Sequence, residues 1–493
     1  MTGQIYVLEM SAIGMRLAPT RWSARTIFLV LLVCFTLVRL VISSLLELHF
    51  DEAYYWHWAN NPQLSYYDHP PMVAWFIMAG TAIVGDNELG IRLFGQLGVA
   101  LASWFVFDAA DRTFGSRAAL FSGVAIQATL LVGAGSIIMA PDTPLLLFTT
   151  ALLWALLRFC QEPSPLWWLL AGVLAGGALL SKYTAVVAIA AVGLWLLATP
   201  RVRPWLFKPW PWAALALSAL IFSPVLIWNV ENGWLSFGKQ GGRLGRSSGI
   251  RPELVFDYIG GQLGVVTPLL FGLLLYGVFR VTQSALRDRD PISVLLVMMF
   301  LVPAVFFLVV SPFVRVQANW PAFMWPAAVI ATGALISDPK AWPSLRPAVF
   351  WSIATGGVIV VLVWMYALGP FAVCFKRDPI ALLHGKRSIT AKAAEIARGE
   401  NVTQILSPEY ATASWLRFYA PADMRVAHLN KQPRYVGFDD VKAEPSERAV
   451  IVTKRPSIPQ RVSQIFSFAT APVEIWREYK GCAHRKYYVF VSN

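Results

Sequence analysis

The chain has 493 residues, of which 57% are hydrophobic and only 14% are charged, whereas about a quarter of the residues in a soluble domain are charged. This composition excludes a single water-soluble core and indicates a membrane protein with many spanning helices. The net charge of +13 would suit nucleic acid, but the lysines and arginines form short clusters between apolar runs, as in the cytoplasmic loops of membrane proteins. We therefore expect membrane lipids, and not nucleic acid, as partners.

The first long apolar run, residues 26–46, follows Arg16, Arg21 and Arg25. At about 20 residues it is long enough to cross a bilayer, and it lacks the small-residue cleavage site of a signal peptide. It predicts a retained first helix with a cytoplasmic N-terminus.

Ten further apolar runs follow, so we expect about eleven transmembrane helices. These runs lie near residues 92–110, 117–138, 143–161, 165–181, 183–199, 210–228, 262–281, 291–311, 320–337 and 347–368. Alternate crossing from a cytoplasmic N-terminus places the later basic clusters on the cytoplasmic side, as the orientation rule requires. The stretch 71–84 is shorter and begins with prolines, which indicates a re-entrant or interfacial helix of the first external loop.

Under this topology the polar segments gather on the external face. They are the loop 47–91, the turn 140–142, the pair 182–183, the loop 229–261 and the loop 311–319. Beyond residue 369 the composition becomes that of a soluble protein, with strand-like runs at 449–452 and 486–490. We predict a transmembrane domain over residues 1–369 and a small external α/β domain over 370–493, in which Cys374 and Cys482 are a candidate disulfide.

Asp51 and Glu52 follow directly after the first predicted span. The tract continues with aromatic and polar residues, which are Tyr54, Tyr55, Trp56, His57, Tyr66, Tyr67, Asp68 and His69. Carboxylates near hydrocarbon are costly unless they have partners or a function. Solvation by lipid headgroups is the structural explanation, but the density of polar and aromatic side chains favours a sugar-binding site.

The order of these motifs resembles the GT-C superfamily of membrane glycosyltransferases over about residues 25–370. The motifs are Asp51-Glu52, Tyr67-Asp68-His69-Pro70-Pro71, Arg92-Leu93 and Ala140-Pro141-Asp142. They are most similar to the protein O-mannosyltransferases and lipid A aminoarabinose transferases, particularly the rhizobial-type galacturonosyltransferases of lipopolysaccharide. The resemblance implies an inverting transferase of the bacterial inner membrane with a periplasmic active site and a periplasmic C-terminal domain. Its donor would be a polyprenyl-phosphate sugar, with galacturonic acid a candidate, and its acceptor lipopolysaccharide, lipid A or another envelope component.

The resemblance also assigns roles to the acidic residues. Asp51 would be the catalytic base, with Glu52 beside it, because an attacking hydroxyl must pass its proton to a positioned carboxylate. Asp142 would be a second catalytic carboxylate, for which a helix N-cap is the structural alternative. Asp68 and His69 stand where the family has an acidic residue and a phosphate-binding lysine, so His69 leaves that phosphate contact open. They are also candidate ligands of a divalent ion, structural hydrogen bonding explains them as well, and no other cofactor is required.

Cations are expected beside the leaving phosphate, because negative charge grows there during transfer. The candidates are Arg92, Lys182, Lys239 and Arg243. Extension of a long side chain from a helix end explains the first two equally well, and a solvated loop explains the last two. Further candidate contacts to the substrates are Tyr54, Tyr55, Tyr67, Tyr183 and Asn319.

A transporter or flippase of a lipid-linked or polar solute is the alternative function, since intramembrane charges also mark translocation paths. The chain shows no internal repeat, gathers its acidic groups on one face and adds an external soluble domain. These features favour the transferase.

Overall fold

The computed structural model describes residues 6–9, 16–19, 22–245, 249–369, 375, 378–428, 433–438, 447–458, 460–467 and 471–492. A short hairpin of β1 (Tyr6–Glu9) and β2 (Arg16–Pro19) precedes a mainly helical chain. The helices up to residue 368 are α1 (Ala24–Leu45), α2 (Phe50–Asn60), α3 (Met72–Val84), α4 (Glu88–Phe114), α5 (Ser116–Gln127), α6 (Leu130–Gly133), α7 (Asp142–Gln161), α8 (Pro165–Ser181), α9 (Ala185–Ala198), α10 (Pro209–Glu231), α11 (Leu235–Gly245), α12 (Glu253–Val266), α13 (Pro268–Asp288), α14 (Pro291–Val310), α15 (Trp325–Ser337) and α16 (Trp342–Leu368).

Within the described residues, seven helices are long and apolar enough to cross a membrane, namely α1, α4, α7, α10, α13, α14 and α16. The prediction of a multi-pass membrane protein is therefore confirmed. The other four predicted spans coincide with a bent helix pair over residues 116–137 and with the shorter apolar helices Pro165–Ser181, Ala185–Ala198 and Ala322–Ser337. The total of eleven crossings stays a prediction, because length and composition alone do not settle how such short helices sit in a bilayer.

The bent pair breaks after α5, and the two halves meet at an angle of 62°. Arg39 of α1 reaches this break from inside the helix bundle, with its Nη1 donating to Gln127 Oε1 (2.6 Å) and to the carbonyl of Val132 (3.3 Å). A buried side chain thus satisfies the backbone carbonyl of Val132 next to the break and also binds the side chain of Gln127. The break redirects the chain toward the first turn of α7.

The loop between α1 and α4 folds into two helices. His49 caps α2 in a capping box, since its ring accepts from the first turn and Glu52 accepts from its backbone N–H. The stretch predicted as a re-entrant or interfacial helix forms α3, which packs against α4. Contact between these helices is close because a Cβ atom added to Gly80 would lie 2.0 Å from the carbonyl oxygen of Gly90. The first loop is therefore a packed layer and not an open coil.

After α16 the chain forms a small α/β unit with a five-stranded mixed sheet. Its strands are β3 (Gln404–Ser407), β4 (Arg425–His428), β5 (Ala449–Thr453), β6 (Val473–Tyr479) and β7 (Cys482–Val491), in the order β4-β3-β5-β7-β6. β3 pairs in parallel with β4 and β5, whereas β7 runs antiparallel to β5 and β6. The helices are α17 (Lys386–Gly399), α18 (Tyr410–Tyr419) and α19 (Gln460–Ser463). The predicted strands at 449–452 and 486–490 are thus confirmed.

One apolar cluster joins this unit to the first loop. It contains Trp415 and Leu416 of α18 together with Tyr54 and Trp58 of α2, all almost completely buried. Cys482 is disulfide-bonded, and its predicted partner Cys374 lies outside the described residues. The division into domains at residues 369 and 370 stays a prediction, but the shared core shows that the two parts pack as one structure.

Candidate active site

A cavity of about 910 Å³ lies where the first loop, the membrane helices and the C-terminal sheet unit meet. Nine of the predicted site residues line it, which are Asp51, Tyr54, Tyr55, Asp68, His69, Asp142, Lys182, Tyr183 and Asn319. Its other walls are apolar and come from the membrane helices, with Leu130, Leu131, Val187, Val265, Phe306 and Val310 among them. The cavity therefore has a polar region and an adjoining apolar region, which suits a ligand with a charged head and a hydrocarbon tail.

Asp51 is a carboxylate in the first turn of α2, where the helix dipole favours negative charge. Burial raises the pKa of its carboxyl to about 6, against the opposing effects of the nearby Arg434 guanidinium and a hydrogen bond from Tyr410. The side chain is still 37% exposed, because it faces the cavity. Burial lowers the pKa of His49 to about 4, so the imidazole lying 3.7 Å from Asp51 is neutral at pH 7. Asp51 is thus an accessible, mostly ionised group near neutral pH, as a general base must be.

Glu52 and Arg92 form a buried ion pair away from the cavity, and both side chains are 0% exposed. Arg92 donates Nε to Oε1 (2.7 Å) and Nη2 to Oε2 (2.6 Å) of Glu52. Its remaining donors meet the backbone carbonyls that end α1, which are those of Ser43, Leu46 and Glu47. Glu52 also accepts the backbone N–H groups of His49 (2.7 Å) and Met139 (2.8 Å).

This arrangement differs from the expectation that Glu52 is catalytic and Arg92 binds substrate. The N–H groups of Arg92 and the carboxylate oxygens of Glu52 form hydrogen bonds with other protein groups, and neither residue lines the cavity. Their side chains join the end of α1, the start of α2 and the segment before α7. They are structural supports of the site, and the helix-end interpretation of Arg92 also fails, because the side chain turns into the protein and not toward the lipid surface.

Asp142, Lys182 and Asn319 form a second polar group on the cavity wall. Lys182 Nζ lies 2.7 Å from Asp142 Oδ1, and Asn319 Nδ2 donates to Asp142 Oδ2 (2.9 Å). The ammonium also lies 5.5 Å from the centroid of the Trp320 ring. Asp142 is the first residue of α7, whose N-cap is Pro141, so its carboxylate is not the N-cap that the sequence left open. The two predicted charges instead form a pair that points into the cavity.

The Asp68 carboxylate binds side chains from α2, α11 and the C-terminal unit. Tyr54 Oη donates to its Oδ2 (3.0 Å), Arg434 Nη1 lies 2.9 Å from the same oxygen, and Lys239 pairs with its Oδ1. Lys239 also lies 4.5 Å from the centroid of the Tyr67 ring, and neither of these two residues lines the cavity. Lys239 and Tyr67, which were expected to contact substrate, therefore support the wall from behind.

Helix α11 covers the cavity on the side of Asp68. Gln240 Nε2 donates to the backbone carbonyl of Asp68 (2.9 Å), and Tyr183 Oη shares a hydrogen bond with Ser236 Oγ (2.6 Å). Arg243 belongs to this helix, but its side chain lies outside the described part of the structure. Across the described residues, no three His, Cys, Asp or Glu side chains come together as a metal-binding group. Asp68, one of the two candidate metal ligands, is occupied by cationic and hydroxyl partners.

Tyr410 and Arg434 of the C-terminal unit line the cavity and were not predicted from the sequence. Tyr410 Oη donates to Asp51 Oδ1 (3.4 Å), and the guanidinium of Arg434 lies 4.0 Å from the centroid of the Tyr410 ring. Nothing around either residue in the sequence indicates a site, since each is a single aromatic or basic residue in an ordinary soluble segment. Tyr410 reaches the cavity because α18 docks on α2, and Arg434, from the segment after β4, lies over the Tyr410 ring.

Parts of this chain match a known protein family and a curated relative. The family model described as dolichyl-phosphate-mannose-protein mannosyltransferase matches residues 68–228. The lipid A galacturonosyltransferase RgtD of Rhizobium johnstonii is 29% identical over 307 residues, which are 61% of this chain and 64% of that protein. This chain therefore aligns with less than two thirds of the length of its curated relative.

Among solved structures, the chain is similar to ArnT from Cupriavidus metallidurans. The apo form superposes with a TM-score of 0.66 at 18% identity, covering 95% of this chain and 98% of ArnT. The form bound to undecaprenyl phosphate gives a TM-score of 0.63 at 18% identity, covering 94% and 98%. At this identity the similarity concerns the fold, and it extends through the C-terminal unit as well as the membrane helices.

Proposed function

We propose that this chain, which has the fold of the GT-C membrane glycosyltransferases, is an inverting transferase that moves a sugar from a polyprenyl-phosphate donor to lipid A or lipopolysaccharide. Galacturonic acid is the proposed sugar, in line with the activity named for the Rhizobium relative. One observation carries the proposal: an exposed carboxylate, Asp51, shares a single cavity with the Lys182–Asp142 pair and with apolar walls formed by membrane helices.

The reaction assigns Asp51 a defined step. A hydroxyl oxygen of the acceptor attacks the anomeric carbon of the donor, and the bond from that carbon to the phosphate oxygen breaks with its electron pair leaving on the phosphate. The proton of the hydroxyl passes to the Asp51 carboxylate, so the products are the glycosylated acceptor and a free polyprenyl phosphate. A single displacement of this kind inverts the anomeric configuration. No step requires a nucleotide or a redox partner.

Lys182 is proposed to stabilise the departing phosphate. Its ammonium is held toward the cavity by Asp142, which Asn319 in turn orients, so the cation is in place before negative charge develops. The apolar wall beside it would take the polyprenyl chain. Tyr54, Tyr55, His69 and Tyr183 are proposed to contact the sugar or the phosphate.

Lys182→Met is expected to lower kcat by about 100- to 1,000-fold, because it removes one fixed cation from the transition state. Initial rates with purified protein would measure this, with Lys340→Met as the matched control, since Lys340 is an exposed lysine away from the cavity. Thermal unfolding of both variants would be recorded, because Asp142 loses a partner in the first one only. An unchanged kcat in Lys182→Met would remove this assignment.

We further propose that the cavity opens to the periplasm from the inner membrane. This orientation is supported by the positively charged loops, for example the one with Arg201 and Arg203. In the predicted topology these loops lie on the side of the membrane opposite to the cavity residues, and basic loops are typically cytoplasmic. Single cysteines introduced at Asn232 and Arg203 should label from opposite sides of intact membrane vesicles. Labelling of both from one side would overturn the orientation.

The activity itself is tested by incubating purified protein with polyprenyl-phosphate galacturonic acid and lipid A in detergent or vesicles. The expected product is lipid A heavier by one hexuronic acid residue, detected by mass spectrometry, together with free polyprenyl phosphate. A panel of donors that carry galacturonic acid, a neutral hexose or aminoarabinose would test the sugar. Movement of donor across vesicles without a new glycosidic bond would instead support the transporter alternative.

A further inference from the structure

We propose that the C-terminal domain supplies two positioning residues to the active site, Tyr410 and Arg434, which hold the Asp51 carboxylate ready to accept a proton. This inference rests on the proposed function, because it concerns how the proposed base works. It gives the C-terminal domain a direct part in the chemistry, beyond covering the cavity.

Helix α18 is fixed to the segment around Asp51 at both of its ends. At its C-terminal end, Tyr419 Oη accepts the backbone N–H of Leu48 (2.8 Å) and donates to Glu88 Oε1 (2.9 Å). At its N-terminal end, Tyr410 Oη donates to Asp51 Oδ1 (3.4 Å). Residues 48–51, at the start of α2, are therefore contacted by both ends of one helix of the C-terminal domain.

The Tyr410 ring is itself held between neighbours. Its centroid lies 5.6 Å from that of Tyr54 and 6.2 Å from that of Phe50, both in edge-to-face orientations. The guanidinium of Arg434 covers the ring at 4.0 Å and is anchored by its contact with Asp68 (2.9 Å). Stacking and ion pairing thus leave the hydroxyl of Tyr410 little freedom to turn away from Asp51.

The charges around Asp51 explain why Arg434 favours the ionised form of the Asp51 carboxyl. Asp68 has two cationic partners, Arg434 and Lys239, so this corner carries one positive charge in excess of its carboxylate. On α2 itself, the negative charge of Glu52 is matched by Arg92, and His49 is neutral at pH 7. The phenols of Tyr55 and Tyr410 also face Asp51, and both are uncharged at neutral pH.

We expect substitution of Tyr410 or Arg434 to change the pH at which activity is lost. Burial raises the pKa of Asp51 to about 6, and the guanidinium of Arg434 and the hydroxyl of Tyr410 hold it from rising further. Since a base acts as the carboxylate, activity is present above this pKa and is lost as the pH falls through it. Removing either residue raises the pKa, so the loss must then begin at a higher pH.

The test is the pH profile of kcat/KM for the full-length wild type, Tyr410→Phe and Arg434→Gln. We expect half-maximal activity near pH 6 on the acidic side for the wild type, and a midpoint about one pH unit higher in each variant. Tyr479→Phe is the matched control for Tyr410, because it removes a hydroxyl of the same domain that donates to the carbonyl groups of Tyr366 and Ala367, away from the cavity. Arg398→Gln is the control for Arg434, because Arg398 pairs with Asp423 on the surface of the same domain.

Midpoints equal to that of the wild type in Tyr410→Phe and Arg434→Gln would overturn the inference, as would equal shifts in both control variants. If Arg434→Gln fails to fold, as judged by size-exclusion chromatography, Tyr410→Phe decides the question, since it deletes a single oxygen atom. Arg434→Lys should bring the midpoint back toward that of the wild type because it keeps the charge. Failure of the proposed function is recognised separately, by a wild type that transfers no sugar or by full activity in Asp51→Asn.

Discussion

Asp51→Asn is expected to lower the rate of sugar transfer by about 100- to 10,000-fold without changing the fold. The amide is almost the same size as the carboxylate and still accepts the hydrogen bond from Tyr410, but it cannot take the proton of the acceptor. Initial rates with saturating donor and acceptor would measure the loss in kcat, and donor binding should be retained.

Asp86→Asn provides the matched control for this loss. Asp86 lies in the same loop between α1 and α4 and accepts a hydrogen bond from Trp56 Nε1 (2.7 Å), but it does not line the cavity. The control should keep wild-type activity, and thermal unfolding should be similar for both variants. Full activity in Asp51→Asn would show that another group accepts the proton, and the proposed mechanism would have to be abandoned.

The largest effect on stability is expected from Arg92→Met, at about 3–5 kcal/mol of unfolding free energy. The substitution leaves Glu52 as an unpaired buried carboxylate and also releases the carbonyl groups at the end of α1. A fall in the midpoint of thermal unfolding in detergent, and poor recovery of folded protein, would report this cost.

Arg398→Met is the matched control because Arg398 and Asp423 form the same two-pronged pair, with distances of 2.9 Å, on the protein surface. Exposed pairs of this kind contribute about 1 kcal/mol or less, so the control should unfold close to the wild type. The comparison also separates the two interpretations of Arg92. Unchanged stability combined with weaker donor binding would restore the substrate-binding role that the sequence suggested.

The predicted site matches the observed cavity for residues that the sequence places on the same face of the membrane. Asp51, Asp68 and His69 lie within 20 residues in the segment between α1 and α4, and Asp142 and Lys182 lie at the ends of helices that the hydrophobic pattern places on the same face. Tyr67 and Lys239 show the limit of this reasoning. They belong to the right segments but stand behind the cavity wall, because a residue's position in a loop does not define the direction of its side chain.

Asp51 and Glu52 are adjacent in the sequence, but their side chains point in different directions. Adjacent residues on a helix point about 100° apart, so one turn of α2 sends one carboxylate into the cavity and the other into the protein interior. Which of the two faces the substrate depends on where Arg92 and the backbone N–H of Met139 lie. A sequence pattern identifies the acidic pair and cannot divide its roles.

From the amino-acid sequence alone follow the membrane character, the GT-C fold, the α/β nature of the C-terminal region and the segments that form the polar face. The GT-C fold follows from the resemblance of the ordered motifs to that superfamily. The other features depend on local composition and periodicity, which bilayer thickness and backbone hydrogen bonding translate directly into helices and strands. Only the tertiary structure decided that Glu52 and Arg92 neutralise each other, that Tyr410 reaches Asp51 and that Arg434 covers the Tyr410 ring. The contact between Asp51 and Tyr410 joins residues 359 positions apart, and its existence depends on the packing of α18 against α2, for which no local pattern in the chain is a guide.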